Sequence, residues 1–292
     1  DRTQGYCSFL TRPGQLGNST KITGHPWFYR GYQPGTVIPV TATANAGASL
    51  QITVPSTTNI GSYAAIAATP KRAQFTGVMT GTATLTVSAL SGLLEVGTYV
   101  VDGFGNVVGL VTACPGPGNC SAVGAYTMNA TNTATSRTMY GHKYYIGVSN
   151  VLGTTEANGL WVPIRTSGTT VLLVYDVFGN IPSFANAYTG ALAISNAVID
   201  ANGLVLTVAA GASSIVNSPG FAIGIGGITG VSTNPYPIDV LSNTSVRLVG
   251  TGFGGAYTAG GTFYTGGAFT APLEPFIEYG PQSDTDHSQT EA

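Results

Sequence analysis

Apolar and polar residues alternate over several short stretches of the chain, which is the pattern of half-buried β-strands. Three such series are Leu50, Ile52, Val54, then Leu85, Val87, Ala89, and then Leu204, Leu206, Val208. Runs rich in β-branched and aromatic residues at 171–178 and 245–249, each bounded by turn residues, predict further strands. Residues 62–68 are the best candidate for a short helix, and no long window has helical periodicity. The pattern therefore predicts an all-β protein.

An internal repeat divides the second half of the chain. Residues 158–164, 167–174 and 187–190 form one series, and residues 235–238, 243–249 and 256–260 form the other. Each series predicts a strand ending in Pro-Ile, a polar turn, a returning strand and a Gly-rich loop. An Ala-Tyr-Thr sequence in that loop supplies a ring that can close the end of a module. The repeat predicts one module at 141–195 and a second copy of it at 196–269.

A different β-module is predicted at 75–140, with a Thr-rich strand, a Val-Gly turn at 96–97 and a strand at 124–128. Residues 1–74 are predicted to form an N-terminal arm and a β region, and residues 270–292 a C-terminal arm. The expected fold is thus a series of small β-sandwich or β-barrel modules between extended arms. Candidate inter-subunit contacts in the arms are the aromatic residues Trp27, Phe28, Tyr29, Tyr32, Phe276 and Tyr279.

Composition narrows the class of protein. Charged residues make up only 8% of the 292 residues, against about 25% in an average soluble chain. A 43% hydrophobic content excludes a disordered chain. The 10 scattered basic residues argue against nucleic-acid binding, and the apolar runs are too short for membrane insertion. A surface with so little charge provides little repulsion between copies, so we expect neighbours in an assembly.

The cysteines leave two alternatives open. Cys114 and Cys120 flank Pro-Gly-Pro-Gly-Asn, whose turn residues can bring the two thiols together, so a disulfide is a candidate. Two free thiols in a reducing compartment are the other interpretation. Cys7 is left over, either free or paired with another chain.

A resemblance to a known class of proteins rests on two sets of residues. The stretch with Thr84-Leu-Thr-Val-Ser, Ser91-Gly, Val96-Gly, Gly124-Ala-Tyr-Thr-Met and Thr138-Met resembles a β-module common in tailed-bacteriophage virion structural proteins. The repeat of Asn-Gly-Leu-Trp, a Thr-rich turn and Ala-Tyr-Thr-Gly is similar to a module of phage tail and head accessory proteins. The second copy departs from it, with Thr233-Asn-Pro-Tyr in place of Asn-Gly-Leu-Trp.

The resemblance implies a component of the virion surface that is assembled in the host cytoplasm. Its partners would be further copies of itself, with a trimer favoured, and the major capsid protein or other virion proteins. No catalytic residues and no cofactor belong to these modules. Fold analogy alone does not distinguish a capsid decoration protein from a tail fibre.

Residues with catalytic potential are dispersed along the chain. The three histidines, His25, His142 and His287, lie in separate segments, so neither a metal cluster nor a triad is predicted. Glycoside hydrolysis needs two carboxylates that flank one bond. The four acids considered for that role each lie beside a turn or a strand end, where Asp commonly accepts hydrogen bonds from backbone amides: Asp102, Asp176, Asp200 and Asp239. We therefore expect no enzyme activity, no metal and no cofactor.

Three functions follow, in order of preference. The first is a non-enzymatic capsid decoration or cement protein that stabilises a phage head through area buried between subunits. The second is a receptor-binding fibre or spike that recognises host glycans, with Tyr236, Tyr257 and Tyr264 as candidate contacts. The third is a depolymerase acting on cell-surface polysaccharide.

Overall fold

The computed structural model describes residues 37–46, 49–116, 118–177, 179–181, 186–215 and 220–269. These residues are almost entirely β, which confirms the predicted fold class. The segments 1–36 and 270–292, with the six aromatic candidates, Cys7, His25 and His287, lie outside the described residues. No helix in the described ranges is long and apolar enough to cross a membrane.

The strands follow one another along the described chain with little helix between them. A single turn of α-helix, α1 (Tyr63–Ala67), begins at Ser62, whose hydroxyl accepts a hydrogen bond from the Ala65 amide, as the 62–68 pattern predicted. The strands are β1 (Val37–Pro39), β2 (Ala42–Ala46), β3 (Ser49–Thr53), β4 (Lys71–Gly92), β5 (Tyr99–Asp102), β6 (Val107–Ala113), β7 (Gly124–His142), β8 (Ile146–Ser149), β9 (Gly159–Arg165), β10 (Thr170–Asp176), β11 (Ala191–Asp200), β12 (Gly203–Val208), β13 (Phe221–Ile223), β14 (Gly226–Thr229), β15 (Ile238–Ser242), β16 (Ser245–Val249), β17 (Gly254–Ala259), β18 (Thr262–Tyr264) and β19 (Gly267–Phe269).

A seven-stranded antiparallel sheet has the order β1-β19-β8-β9-β10-β3-β2. Leu50 and Ile52 of β3 are fully buried in its core, together with residues of β8 to β10. Since β3 pairs with β10 and β19 pairs with β8, residues 37–54 and 267–269 share a sheet with residues 146–176. The sheet formed by β8, β9 and β10 of the predicted second module therefore also contains β1, β2 and β3 of the predicted N-terminal region and β19 of the predicted third module.

A small closed barrel is built from β4, β5, β6 and β7. The long strands β4 and β7 pair along their length, and β7 also pairs with β5 near one end and with β6 near the other. Because β5 and β6 pair with each other, the ring closes on that side. On the other side β4 curls until its ends meet, and the Leu93 amide donates to the Arg72 carbonyl at 2.9 Å. Phe75, Leu85 and Tyr126 fill the interior.

The hairpin β5–β6 belongs to two cores at once. Every residue of β5 is buried. Val100 points into the barrel, whereas Tyr99 and Val101 pack into the core of the seven-stranded sheet. The Tyr99 hydroxyl donates to the Pro163 carbonyl oxygen in β9. The barrel and the sheet are thus joined by a shared hairpin, because its two faces are both apolar.

The third group of strands has the order β13-β18-β11-β12-β16-β15, with the two-stranded ribbon β14–β17 beside it. Its core contains Leu204 and Leu206 of β12, which are fully buried, and Val208, which is 3% exposed. The alternation predicted for 204–208 is therefore confirmed. The alternation predicted at 85–89 is wrong at its last position, because Ala89 has a φ of 51° and lies exposed.

The internal repeat corresponds to two hairpins, β9–β10 and β15–β16. Leu172 lies opposite Ile164 in the first hairpin, and Leu248 lies opposite Ile238 in the second. In the first copy the Pro-Ile pair lies near the end of β9, as predicted. In the second copy Ile238 begins β15, so the prediction of a strand that ends in Pro-Ile is wrong there. The two Ala-Tyr-Thr tyrosines do correspond, because each packs half-buried on a core and donates its hydroxyl proton to a backbone carbonyl. These bonds run from Tyr188 to Val40 at 2.6 Å and from Tyr257 to Ile194 at 3.0 Å.

Candidate functional site

One turn sequence occurs twice and forms the same hydrogen bonds both times. It is Asp102-Gly-Phe-Gly-Asn106 between β5 and β6, and Asp176-Val-Phe-Gly-Asn180 after β10. In the first turn the Asn106 amide N–H donates to Asp102 Oδ1 at 3.0 Å, and its Nδ2 donates to Oδ2 at 2.9 Å. In the second turn the equivalent bonds from Asn180 to Asp176 measure 2.8 and 2.9 Å. The aspartate therefore orders the turn in both places.

The first copy of this turn places a carboxylate in the interior. The Asp102 side chain is fully buried and also accepts the Phe104 amide at 2.9 Å. Burial by itself would raise the pKa of Asp102. The hydrogen bonds from Asn106 and Phe104 and the charge of Arg137 outweigh that effect and lower the pKa below its usual value. Asp102 therefore stays ionised at neutral pH.

Arg137 of β7 faces this carboxylate. Its Nε lies 3.5 Å from Asp102 Oδ2, an ion-pair distance without a hydrogen bond. Its Cζ lies 5.4 Å from the centre of the Phe104 ring, which is 75% exposed at the tip of the turn. In the described part of the chain, no side chain or carbonyl accepts a hydrogen bond from the two Nη groups of Arg137. The outer edge of the guanidinium thus remains open to solvent or to a ligand.

A polar cavity of about 320 Å³ lies beside this pair. It is lined by Asp102, Asn106, Val107, Val108, Asn132, Thr133, Ala134 and Arg137. The Asn132 side chain forms part of the wall, because its Nδ2 donates to the Val108 carbonyl at 2.9 Å and so ties β7 to β6. The cavity combines one cation, one anion already supplied with hydrogen-bond donors, and several neutral polar groups. It is the candidate functional site of the described residues.

The remaining predicted acids have structural partners. Asp200 accepts the Asn202 amide at 2.8 Å and pairs with Arg247 at 2.7 Å, and Arg247 also bonds Asp239 at 3.2 Å. The hydrogen bond from Arg247 and that from the Asn202 amide lower the pKa of Asp200. Asp102, Asp176 and Asp200 therefore accept turn amides as predicted, whereas Asp239 binds a side chain of the next strand. The cavity holds a single carboxylate, Asp102.

The three tyrosines considered as glycan contacts have different surroundings. The Tyr236 hydroxyl accepts the Ser232 amide at 2.7 Å, and its ring packs on Phe253 at 5.6 Å. Tyr257 is the half-buried anchor described above. Tyr264 lies in β18, half-buried, opposite Phe221. Two of the three hydroxyls are therefore engaged within the fold.

A disulfide joins Cys114 and Cys120, with 5.2 Å between their Cα atoms. The loop that it closes is fixed to the barrel, because the Leu94 amide donates to the Cys120 carbonyl at 3.0 Å and the Tyr126 hydroxyl donates to it at 3.2 Å. Cys114 itself is partly buried and packs against the barrel core.

The histidine in the described part of the chain is structural. His142 is 2% exposed, and its Nδ1 donates to the Thr69 carbonyl at 2.8 Å. Burial lowers the pKa of His142. Over the described ranges, no three His, Cys, Asp or Glu side chains are grouped closely enough to hold a metal ion.

A repeated turn motif in the sequence points to the cavity, although the alternation of apolar and polar residues does not. The recurrence of Asp-x-Phe-Gly-Asn at 102–106 and 176–180 marks two equivalent turns, and it could have singled out Phe104 and Asn106. Arg137 had no such signal, because it reaches Asp102 across 35 positions of the chain. Comparison of the chain with family models, curated proteins and solved structures finds no match.

Proposed function

We propose that the chain is a non-enzymatic virion structural protein, a capsid decoration protein that holds neighbouring subunits through its two flanking segments. The observation that carries this proposal is the pairing of β1 with β19. Val37, where the described chain begins, lies opposite Phe269, where it ends. The two residues to which the segments 1–36 and 270–292 connect are therefore neighbours at one edge of the seven-stranded sheet.

The composition of those segments suits contact with another protein. They carry the six candidate aromatic residues, Trp27, Phe28, Tyr29, Tyr32, Phe276 and Tyr279. Aromatic residues are enriched at the centres of protein interfaces, since a large ring buries much area for few rotatable bonds. In addition, β1 has one paired neighbour among the described strands, so its other edge offers backbone groups to an added strand.

The alternatives receive less support from the described residues. A depolymerase needs paired carboxylates, but the only carboxylate in the polar cavity is the buried Asp102. A glycan-binding fibre that used Tyr236 and Tyr257 would need hydroxyls that already bond within the fold. Neither alternative gains a specific observation at the residues that were predicted for it.

Assembly is tested first in solution with the full chain. Sedimentation velocity should show a homo-oligomer, and the double substitution Trp27→Ala/Phe28→Ala should shift it toward monomer with an unchanged circular dichroism spectrum. Phe104→Ala is the matched control, because it removes the most exposed aromatic ring of the described part. Equal dissociation by both variants, or a monomeric wild type, would contradict the proposed role of the flanking segments.

Attachment to particles tests the location. A quantitative gel of purified particles should show a copy number comparable with that of the shell subunits, whereas a handful of copies would indicate a fibre. A chain that lacks residues 270–292 should keep its melting temperature and bind stripped particles more weakly. Unchanged occupancy of the shortened chain would refute attachment through that segment.

A further inference from the structure

We infer that the cavity beside Arg137 is a binding site for a carboxylated sugar, such as a uronic acid residue of a surface polysaccharide. The cavity volume of about 320 Å³ is at the lower end of the range of small-ligand sites, about 300 to 1,000 Å³. A single monosaccharide unit has a suitable size for this space.

The cation in the cavity is arranged to bind a carboxylate. A guanidinium offers two parallel N–H groups that match the two oxygens of a carboxylate. Arg137 faces Asp102 through Nε, so its two Nη groups remain for a second partner. Asp102 does not need them, because the amides of Phe104 and Asn106 and the Asn106 side chain already donate to it. The arginine is thus held in place by one carboxylate and left open to another.

The charge balance selects among anions. One buried negative charge and one cation give the walls no net charge. A ligand with one negative charge can pair with the open edge of Arg137, whereas a phosphate dianion brings a second charge close to Asp102. The ligand expected from this balance is a monoanion.

Neutral groups around the cation fit the rest of a sugar. Thr133 is an exposed residue that lines the cavity, and the Asn106 side-chain oxygen can accept a hydroxyl proton while its Nδ2 stays on Asp102. The Phe104 ring, 75% exposed, is centred 5.4 Å from Cζ of the cavity arginine, Arg137, and offers a face for the apolar C–H groups of a pyranose bound there. A charged group, hydroxyl partners and an aromatic ring are therefore grouped around one small space.

The test titrates the full chain with sodium glucuronate, with glucose and with inorganic phosphate, and follows amide chemical shifts by NMR. Glucuronate should bind with a dissociation constant of about 1 mM and at least about tenfold more tightly than either comparison ligand. Arg137→Lys keeps the charge but loses the paired N–H groups, and should weaken glucuronate binding about tenfold. Arg247→Lys, at an arginine already bonded to Asp200 and Asp239, is the matched control and should bind as wild type.

A second variant tests the same site in case Arg137→Lys fails to fold. Phe104→Ala removes an exposed ring while keeping the backbone amide that bonds Asp102, so its melting temperature should not change. It should weaken glucuronate binding severalfold. The inference is overturned if glucose binds as well as glucuronate, if phosphate binds more tightly, or if both Arg137→Lys and Phe104→Ala bind glucuronate as wild type does.

Discussion

The two Asp-x-Phe-Gly-Asn turns provide a matched pair for measuring what burial does to a turn aspartate. We predict that Asp102→Asn lowers the free energy of unfolding by about 3 kcal/mol, against about 1 kcal/mol for Asp176→Asn. Both carboxylates accept the same two bonds from the asparagine four residues later. Asp102 is fully buried, whereas Asp176 is half-buried.

The magnitude follows from the geometry at Oδ2 of Asp102. An amide nitrogen at that position would face the Asn106 Nδ2 at 2.9 Å and the Arg137 Nε at 3.5 Å, so donors would meet donors. One hydrogen bond to a charged group is worth about 1.5 to 3 kcal/mol, and Arg137 would lose its partner as well. The Arg137 side chain is 24% exposed, so water screens part of that second loss. At Asp176 water can replace the missing contact.

Urea unfolding followed by far-UV circular dichroism measures both variants at pH 7. Acid provides an internal check, because the pKa of Asp102 is lower in the folded state than its usual value of 3.8. Its contribution to stability is complete above the unfolded pKa and is lost as the pH falls through the folded pKa. The gap between wild type and Asp102→Asn should therefore narrow toward pH 3. Equal losses for the two variants at pH 7, or a gap independent of pH, would refute this reasoning.

Three further outcomes are expected. Replacing Cys114 and Cys120 by serine should lower the free energy of unfolding by about 2 kcal/mol, as estimated for so short a loop, and a reductant should then have no added effect on the melting temperature. Burial lowers the pKa of His142, so the unfolded state binds a proton at a higher pH than the folded state does. The free energy of unfolding should therefore fall as the pH drops below about 6.5, the usual histidine pKa. In His142→Gln this pH dependence should be absent from unfolding measurements between about pH 5 and 7. Gly153→Ala should cost at least about 3 kcal/mol in urea unfolding, because its φ is 80° and a Cβ would lie 1.9 Å from a backbone oxygen, whereas Gly168→Ala, with open space around it, should change stability by less than about 0.5 kcal/mol.

Local pattern predicted the strands whose two faces differ. The alternation at Leu204 and Leu206 is typical of a sheet with one buried face, and both residues are buried in a core. The helix at 62–68 was equally readable, because Ser62 is a good N-cap. Such features depend on neighbours in the sequence, so the sequence alone contains them.

Features that depend on distant pairing were not readable. No local signal shows that Val37 lies opposite Phe269, or that Tyr99 and Val100 pack into different cores. The apolar run of β5 is compatible with any strand that is buried on both faces. The cavity is of the same kind, since Asp102 and Arg137 meet only after the barrel has closed. Recurrence of a turn sequence was the one available pointer.

The pairing of β1 with β19 also determines how the protein responds to tension. If the segments before Val37 and after Phe269 are pulled in opposite directions, the load falls on the bond nearest that end and the two strands separate one residue at a time. If both segments are pulled in the same direction, the force acts along the axis of β19. The hydrogen bonds between β19 and β8 are perpendicular to that axis, so they are loaded in shear and resist as a group. A neighbour that grips both segments would therefore leave the molecule mechanically stronger than two neighbours that grip one segment each.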